Sequence, residues 1–321
     1  MAIVRAGALD VGYDEQGSGP PLVLLHGATS TGREDFAAQV PLLSQRFRVL
    51  LPDARGHART RWDASRGFEY GWLVDDLEAF LDALDLASCH LLGFSMGAFT
   101  ALGFAARRPA RVRTLVVIGA GVGREPRASV ARRLMDPDRI EARDPTWAAQ
   151  LSRRHDEGQG PGAWQHLLPA IAADVARQAP PEPRLLRAVD APALVVIGDR
   201  DPFAPVDQAW ALARQLPDSR LFVVPGTGHE AQVRRPALVN EALAGFYRAT
   251  ETVAAERATA AMEPGTQRPR PIDPAHGAGH GSAARESVRA EPGSTTDAGW
   301  LGDSPPPASV GDTGGPGEEA T

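Results

Sequence analysis

The sequence predicts an α/β protein: a doubly wound, mostly parallel sheet of eight strands, with a small helical cap inserted into it and a disordered C-terminal tail. Three observations carry this. Short continuous apolar runs, such as residues 21–25 and 115–118, stop abruptly at glycine or at a polar loop, as strands buried on both faces do. Stretches with apolar residues at helical spacing separate them. The strand signal then vanishes over residues 122–190, and beyond residue 250 the composition shifts to Gly, Pro, Ser, Ala and charge. The expected organisation is therefore a core of residues 1–121 and 191–249, a cap of 122–190 and a tail of 250–321.

In order, residues 3–16 alternate loosely around Gly7, which suits an antiparallel hairpin with one wet face. Residues 21–27 form a buried strand ending at Gly27, and a helical pattern over 33–45 puts Phe36, Val40 and Leu43 on one stripe. A strand over 47–52 runs into the polar loop Asp53-Ala54-Arg55-Gly56-His57, and residues 70–86 repeat Leu73, Leu77, Phe80, Leu81 and Leu84 at helical spacing. Strands follow over 89–92, 113–120, 193–197 and 221–224, with helices over 99–108, 206–216 and 236–249. The cap shows helical stretches over 127–135, 147–155 and 163–177.

The chain has 321 residues, 43% of them hydrophobic and 23% charged, which is the make-up of a globular protein. All 34 basic residues are Arg, scattered among 40 acidic ones, and with a net charge of −6 there is no electrostatic case for nucleic acid. Residues 251–321 hold 11 acidic and 5 basic residues, so the tail carries that whole net charge and the remainder is neutral. The single cysteine, Cys89, excludes an internal disulfide. No window approaches the roughly 20 apolar residues of a membrane span, and the first ten residues lack the apolar core of a secretory signal; a cytoplasmic location and no membrane partner are the expectation. Oligomeric state is left open, and no metal or cofactor is expected.

The chemistry concentrates at Leu91-Leu92-Gly93-Phe94-Ser95-Met96-Gly97-Ala98, where a strand reaches Gly-x-Ser-x-Gly and continues directly into a helix. This is the sequence form of a nucleophile elbow. Gly93 and Gly97 lack the Cβ atoms that would collide in so tight a turn, and the first N–H groups of the helix point at any oxyanion formed on Ser95. A serine hydroxyl needs a base, and the base needs a third group to hold its tautomer. His229, in the loop Pro225-Gly226-Thr227-Gly228-His229 after a strand, supplies the base. Asp199 and Asp201 both follow the strand 194–197; Asp201 is preferred because Pro202 fixes the turn after it, with Asp199 left to satisfy backbone N–H groups or pair with Arg200.

The order Ser95, Asp201, His229, with the elbow and the upstream His26-Gly27, resembles the α/β-hydrolase fold superfamily over about residues 3–249. The resemblance implies that the backbone N–H of Ala28 is the second oxyanion donor, beside that of Met96, and that His26 is structural. Asp53-Ala54-Arg55-Gly56-His57 is similar to the family's architectural Asp-x-Arg-Gly-x-Gly segment, so Asp53, Arg55 and His57 are left out of the catalytic set. A serine at position 95 excludes the haloalkane dehalogenase and epoxide hydrolase branches, which use aspartate there.

The resemblance implies a serine hydrolase acting on a small-molecule ester, lactone or related carbonyl compound. A cofactor-free haloperoxidase or perhydrolase and a carbon–carbon bond hydrolase would use the same triad, and a non-catalytic ligand-binding relative of the fold is the alternative of another class. For the pocket, Phe94, Phe203 and Met96 are candidate apolar lining. From the cap cluster Arg153, Arg154, His155, Trp164 and His166, Trp164 and Arg154 are the candidates, with a guanidinium facing the pocket favouring a carboxylate-bearing substrate.

Overall fold

A computed structural model describes residues 2–178 and 182–262. Eight strands form one sheet: β1 (Ala2–Ala6), β2 (Leu9–Gln16), β3 (Pro21–Leu25), β4 (Arg48–Pro52), β5 (Cys89–Phe94), β6 (Val112–Ile118), β7 (Ala193–Gly198) and β8 (Ser219–Val224), in the spatial order β1-β2-β4-β3-β5-β6-β7-β8. Only β2 runs against its neighbours; it pairs antiparallel with both β1 and β4, and every pair from β4 to β8 is parallel. The hairpin read from the first residues is β1–β2, turned at Gly7.

The apolar runs read as two-sided strands because they are two-sided. Along β5, Cys89 and Leu91 enter a core under the helices Tyr70–Ala83 and Met96–Arg107, whereas Leu92 and Phe94 enter a second core on the opposite face with Phe36, Phe246 and Tyr247. Side chains alternate with period two, so burying both faces makes the strand almost wholly apolar, and its one polar residue, the half-buried His90, meets Thr114 Oγ1 at 2.8 Å. Cys89 is fully buried, and burial pushes its thiol up to about 12, far from reactivity at neutral pH.

Two elements differ from expectation. The helix expected over 33–45 is two separate turns, Gly32–Asp35 and Val40–Leu43. Pro41 has no N–H to give the preceding turn, so a single helix cannot run through it, yet the stripe residues Phe36 and Leu43 remain buried. The last helix runs Pro236–Met262, past the expected end near 249, because residues 250–262 are rich in the helix formers Ala, Glu and Arg and continue the pattern. The rest of the expected tail, 263–321, lies outside the described residues.

Between β6 and β7 stand five helices: Arg127–Leu134, Pro137–Arg143, Pro145–Gln159, Ala163–Arg177 and Pro183–Leu186. Two more were present than the apolar periodicity indicates. The signal for one of them lies in the repeated Asp-Pro pair: Asp136 and Asp144 each cap a helix that opens with proline, their Oδ1 atoms accepting from Arg139 N at 3.3 Å and Trp147 N at 2.9 Å. No helix of the described residues is long and apolar enough to cross a membrane.

Candidate active site

The parallel strands deliver one functional loop each at their carboxyl ends, where ligands bind in such sheets. After β5, Ser95 is forced to φ 50° and ψ −112°, a region a non-glycine residue occupies only under constraint. The constraint is visible: Ser95 N donates to Ile118 O at 2.9 Å on β6, and Gly97 N donates to His26 O at 3.0 Å in the loop after β3. A Cβ at Gly93 would lie 2.2 Å from Gly97 O, and one at Gly97 would lie 2.0 Å from Leu25 O, so only glycine allows the turn to close onto the sheet.

Ser95 Oγ lies 2.9 Å from His229 Nε2, and His229 Nδ1 lies 2.8 Å from Asp201 Oδ2. The carboxylate accepts at Nδ1, which places the imidazole proton there and leaves Nε2 a lone pair to accept the serine proton. Asp201 is held from behind, its Oδ1 accepting from Phe203 N at 2.7 Å and Ala204 N at 3.1 Å, and its side chain is 0% exposed. Asp199 does the other work of its loop: Oδ1 accepts Thr227 N at 3.0 Å, tying the β7 loop to the one that carries His229. The backbone N–H groups of Gly226 and Thr227 hold the Asp199 carboxyl below the usual carboxylate range.

The amides of Ala28 and Met96 donate to no protein acceptor among the described residues, and Ala28 and Ser95 share one cleft. The loop of Ala28 is anchored from three sides. Asp35 Oδ2 accepts Gly27 N at 2.8 Å, His57 Nε2 contacts Ala28 O at 2.9 Å, and Arg154 Nη1 donates to Thr29 O at 3.0 Å. His26 Nε2 accepts Ala54 N at 2.9 Å, so its proton sits on Nδ1 and is donated to Gly27 O at 2.7 Å. Burial pushes the His26 and His57 imidazoles down to about 4 and His155 down to about 2, so this buried histidine stack, with ring centroids 4.9 and 5.2 Å apart, is neutral. Burial pushes the Asp35 carboxyl up to about 6.

Ser95 and His229 open on a cleft of about 730 Å³ walled on the far side by the cap helices Arg127–Leu134, Pro137–Arg143 and Pro145–Gln159. Phe94 and Phe203 line it beside the imidazole, their ring centroids 5.0 and 4.3 Å from that of His229. Trp164 is not there: it is 2% exposed inside the cap, its indole N–H donating to Ser152 Oγ at 3.2 Å, because the helix Ala163–Arg177 turns its apolar face to the other cap helices. The Met96 side chain is likewise buried away from the cleft, against a cavity of about 40 Å³ behind the elbow. Arg154 lines the cleft but is occupied by an ion pair with Glu34, by Thr29 O and by stacking 4.6 Å above Trp147.

Gly119, which sequence reasoning passed over, completes the site. It follows β6 at φ +69°, and a Cβ there would stand 2.9 Å from His229 Cε1. Nothing in the local sequence signals that an imidazole 110 residues further on needs that space. Asp35, Arg133, Arg139 and Arg143 also line the cleft and belong to no recognisable motif. Among the described residues no group of His, Cys, Asp and Glu is arranged to hold a metal ion.

Sheet order, elbow and the loops converging on it define an α/β hydrolase. The chain belongs to the alpha/beta hydrolase family, whose profile matches residues 22–242. It is 30% identical to a 2-hydroxy-6-oxononadienedioate/2-hydroxy-6-oxononatrienedioate hydrolase of Pseudomonas putida over 258 residues, covering 72% of this chain and 90% of that protein. A thermophilic esterase from Thermogutta terrifontis is 26% identical with a TM-score of 0.63, over 78% of this chain and 98% of that one. An N-acyl homoserine lactone degrading enzyme is 27% identical with a TM-score of 0.63, over 76% of this chain and all of its own, 100%.

Proposed function

We propose that the protein is a serine hydrolase that cleaves an ester, lactone or related carbonyl compound of small-molecule size through an acyl-enzyme on Ser95. One observation carries the reading: the unbroken relay from Ser95 Oγ to His229 Nε2 and from His229 Nδ1 to Asp201 Oδ2, at 2.9 and 2.8 Å, at the floor of a cleft large enough for such a substrate.

Ser95 Oγ attacks the carbonyl carbon as its proton passes to His229 Nε2, and the imidazolium that forms is stabilised by the buried Asp201 carboxylate. The carbonyl electron pair moves onto oxygen, where the amides of Ala28 and Met96 converge; they are fixed before reaction, so no reorganisation is needed as charge develops. The tetrahedral intermediate collapses, the leaving group takes the proton from His229 Nε2, and Ser95 stays acylated. Water then gives its proton to His229, attacks the acyl carbon, and releases the acid and free Ser95.

The test is turnover of p-nitrophenyl butyrate. Ser95→Ala should lower kcat/KM by at least about 10³-fold with an unchanged circular dichroism spectrum; equal rates in the two proteins would remove the mechanism.

A second reading, carbon–carbon bond hydrolysis on the same triad, is favoured by the Pseudomonas putida relative named above. It predicts loss of the dienol chromophore of a vinylogous 1,5-diketone acid at a kcat/KM above that for the p-nitrophenyl ester.

A further inference from the structure

The cap wall of the cleft carries three arginines whose side chains have no partner among the described residues. Arg133 lies in the last turn of the helix Arg127–Leu134, and Arg139 and Arg143 lie four residues apart, on one face of the helix Pro137–Arg143. All three line the same cleft as Ser95 and His229, and none has an ion pair or hydrogen-bonded side-chain partner among the described residues. The other cations of the cleft are engaged: Arg154 by Glu34 and Thr29 O, and Arg234 by Glu230 at 3.2 Å. The acidic groups are engaged too. Asp144 Oδ1 caps Trp147 N at 2.9 Å, and Asp35 holds Gly27 N while burial drives its carboxyl toward the neutral form.

A helix end favours cations, but that does not explain the placement, since Arg132 has the same advantage and stays outside the cleft. Nor does overall charge, since residues 1–250 are neutral in sum. Three like charges facing one cavity repel each other, and an anion between them converts the repulsion into charge-assisted hydrogen bonds. Leu134, Met135 and Ile140 supply the same wall with apolar surface.

We propose that Arg133, Arg139 and Arg143 recognise a carboxylate or comparable oxyanion on the acyl substrate, separated from the scissile carbonyl by an apolar stem. The proposal rests on the serine hydrolase reading and names the substrate class of that site; Arg154, spent on the loop of Ala28, is not the recognising group.

The experiment compares two esters of equal acyl length, mono-p-nitrophenyl glutarate and p-nitrophenyl valerate, binding by calorimetry to the full-length Ser95→Ala protein, which retains the cleft without turning them over. The anionic ester should bind at least about tenfold more tightly at low ionic strength, and the advantage should shrink as salt is raised. It should disappear in the Arg133→Gln, Arg139→Gln, Arg143→Gln combination and survive in Arg132→Gln. Equal affinities for the two esters, or an advantage that persists in the triple variant or is insensitive to salt, would overturn the proposal. Turnover by the protein with Ser95 intact tests the hydrolase reading separately, so the two failures are distinguishable.

Discussion

The two walls of the cleft are built on opposite principles. On the sheet side, Ser95, Asp201, His229 and Ala28 sit in loops one or a few residues past a strand, and hydrogen bonds fix those loops: Ser95 N donates to Ile118 O on β6, Asp201 Oδ1 accepts from Phe203 N and Ala204 N, Asp199 Oδ1 accepts from Thr227 N, and Asp35 Oδ2 accepts from Gly27 N. On the cap side, short helices project Arg133, Arg139 and Arg143, exposed or half-buried and without a side-chain partner among the described residues. The sheet side is finished before substrate arrives, as electrostatic preorganisation requires. The cap side is left incomplete, as the proposed recognition of an anion requires.

If that division holds, substitutions on the sheet side should damage the chemical step and those on the cap side should alter substrate choice. The largest effect belongs to the base: His229→Ala should lower kcat for any ester by about 10³-fold or more, with KM nearly unchanged. Gly119→Ala comes next, because its Cβ would occupy space 2.9 Å from His229 Cε1 at a φ that side chains resist. Displacing the imidazole should cost roughly 10²-fold in kcat, and a stopped-flow acylation rate would locate the loss. A Gly119→Ala enzyme with full activity would show that the sheet side tolerates slack.

The seam between the walls is the stack of His57 and His155, where a cap helix meets the loop beneath Ala28. Unfolded imidazoles bind protons below about 6.5, whereas His26, His57 and His90 do so only below about 4 and His155 only below about 2. Unfolding therefore takes up protons in this window, and stability should fall as pH drops from 6.5 to 4, by at most about 2 kcal/mol per histidine at pH 5. Asp35 acts with the opposite sign, since it keeps a proton up to about pH 6 that the unfolded chain has already released, and burial raises the carboxyls of Asp53, Asp76 and Asp174 in the same sense, so the histidine contribution is read by difference between variants. Urea unfolding of His155→Leu at pH 7 and pH 5 should show a smaller acid loss than the parent, and an equal loss would remove His155 from the account.

Asp199→Ala should reduce kcat by about tenfold by freeing Thr227 N and loosening the loop of His229, with Asp201 untouched. The smallest effect is expected at Arg154→Met, which cuts one of three anchors of the oxyanion loop and should lower kcat about threefold while the preference for an anionic ester survives. Loss of that preference would return Arg154 to the recognising set.

The same division explains what could be read from the chain. Ser95 and Asp201 were legible because each follows a strand whose two-sided burial shows as an apolar run, and His229 because the apolar run of the half-buried edge strand β8 ends in a glycine-rich loop. Trp164 was misplaced at the pocket because a sequence does not show which face of a cap helix meets the other cap helices. Arg154 and Arg139 look alike in sequence; only the positions of Glu34 and Thr29 O separate an arginine already engaged from one that is free. Gly119 was hidden for the same reason, its purpose lying in the loop after β8.

The central claim is that Ser95 is a nucleophile activated by His229. Treating the full-length protein with a fluorophosphonate and measuring intact and peptide mass tests it most directly. The account predicts one adduct, on the peptide containing Ser95, absent in Ser95→Ala and strongly slowed in His229→Ala. No adduct, an adduct on another residue, or labelling at an unchanged rate without the imidazole would contradict it.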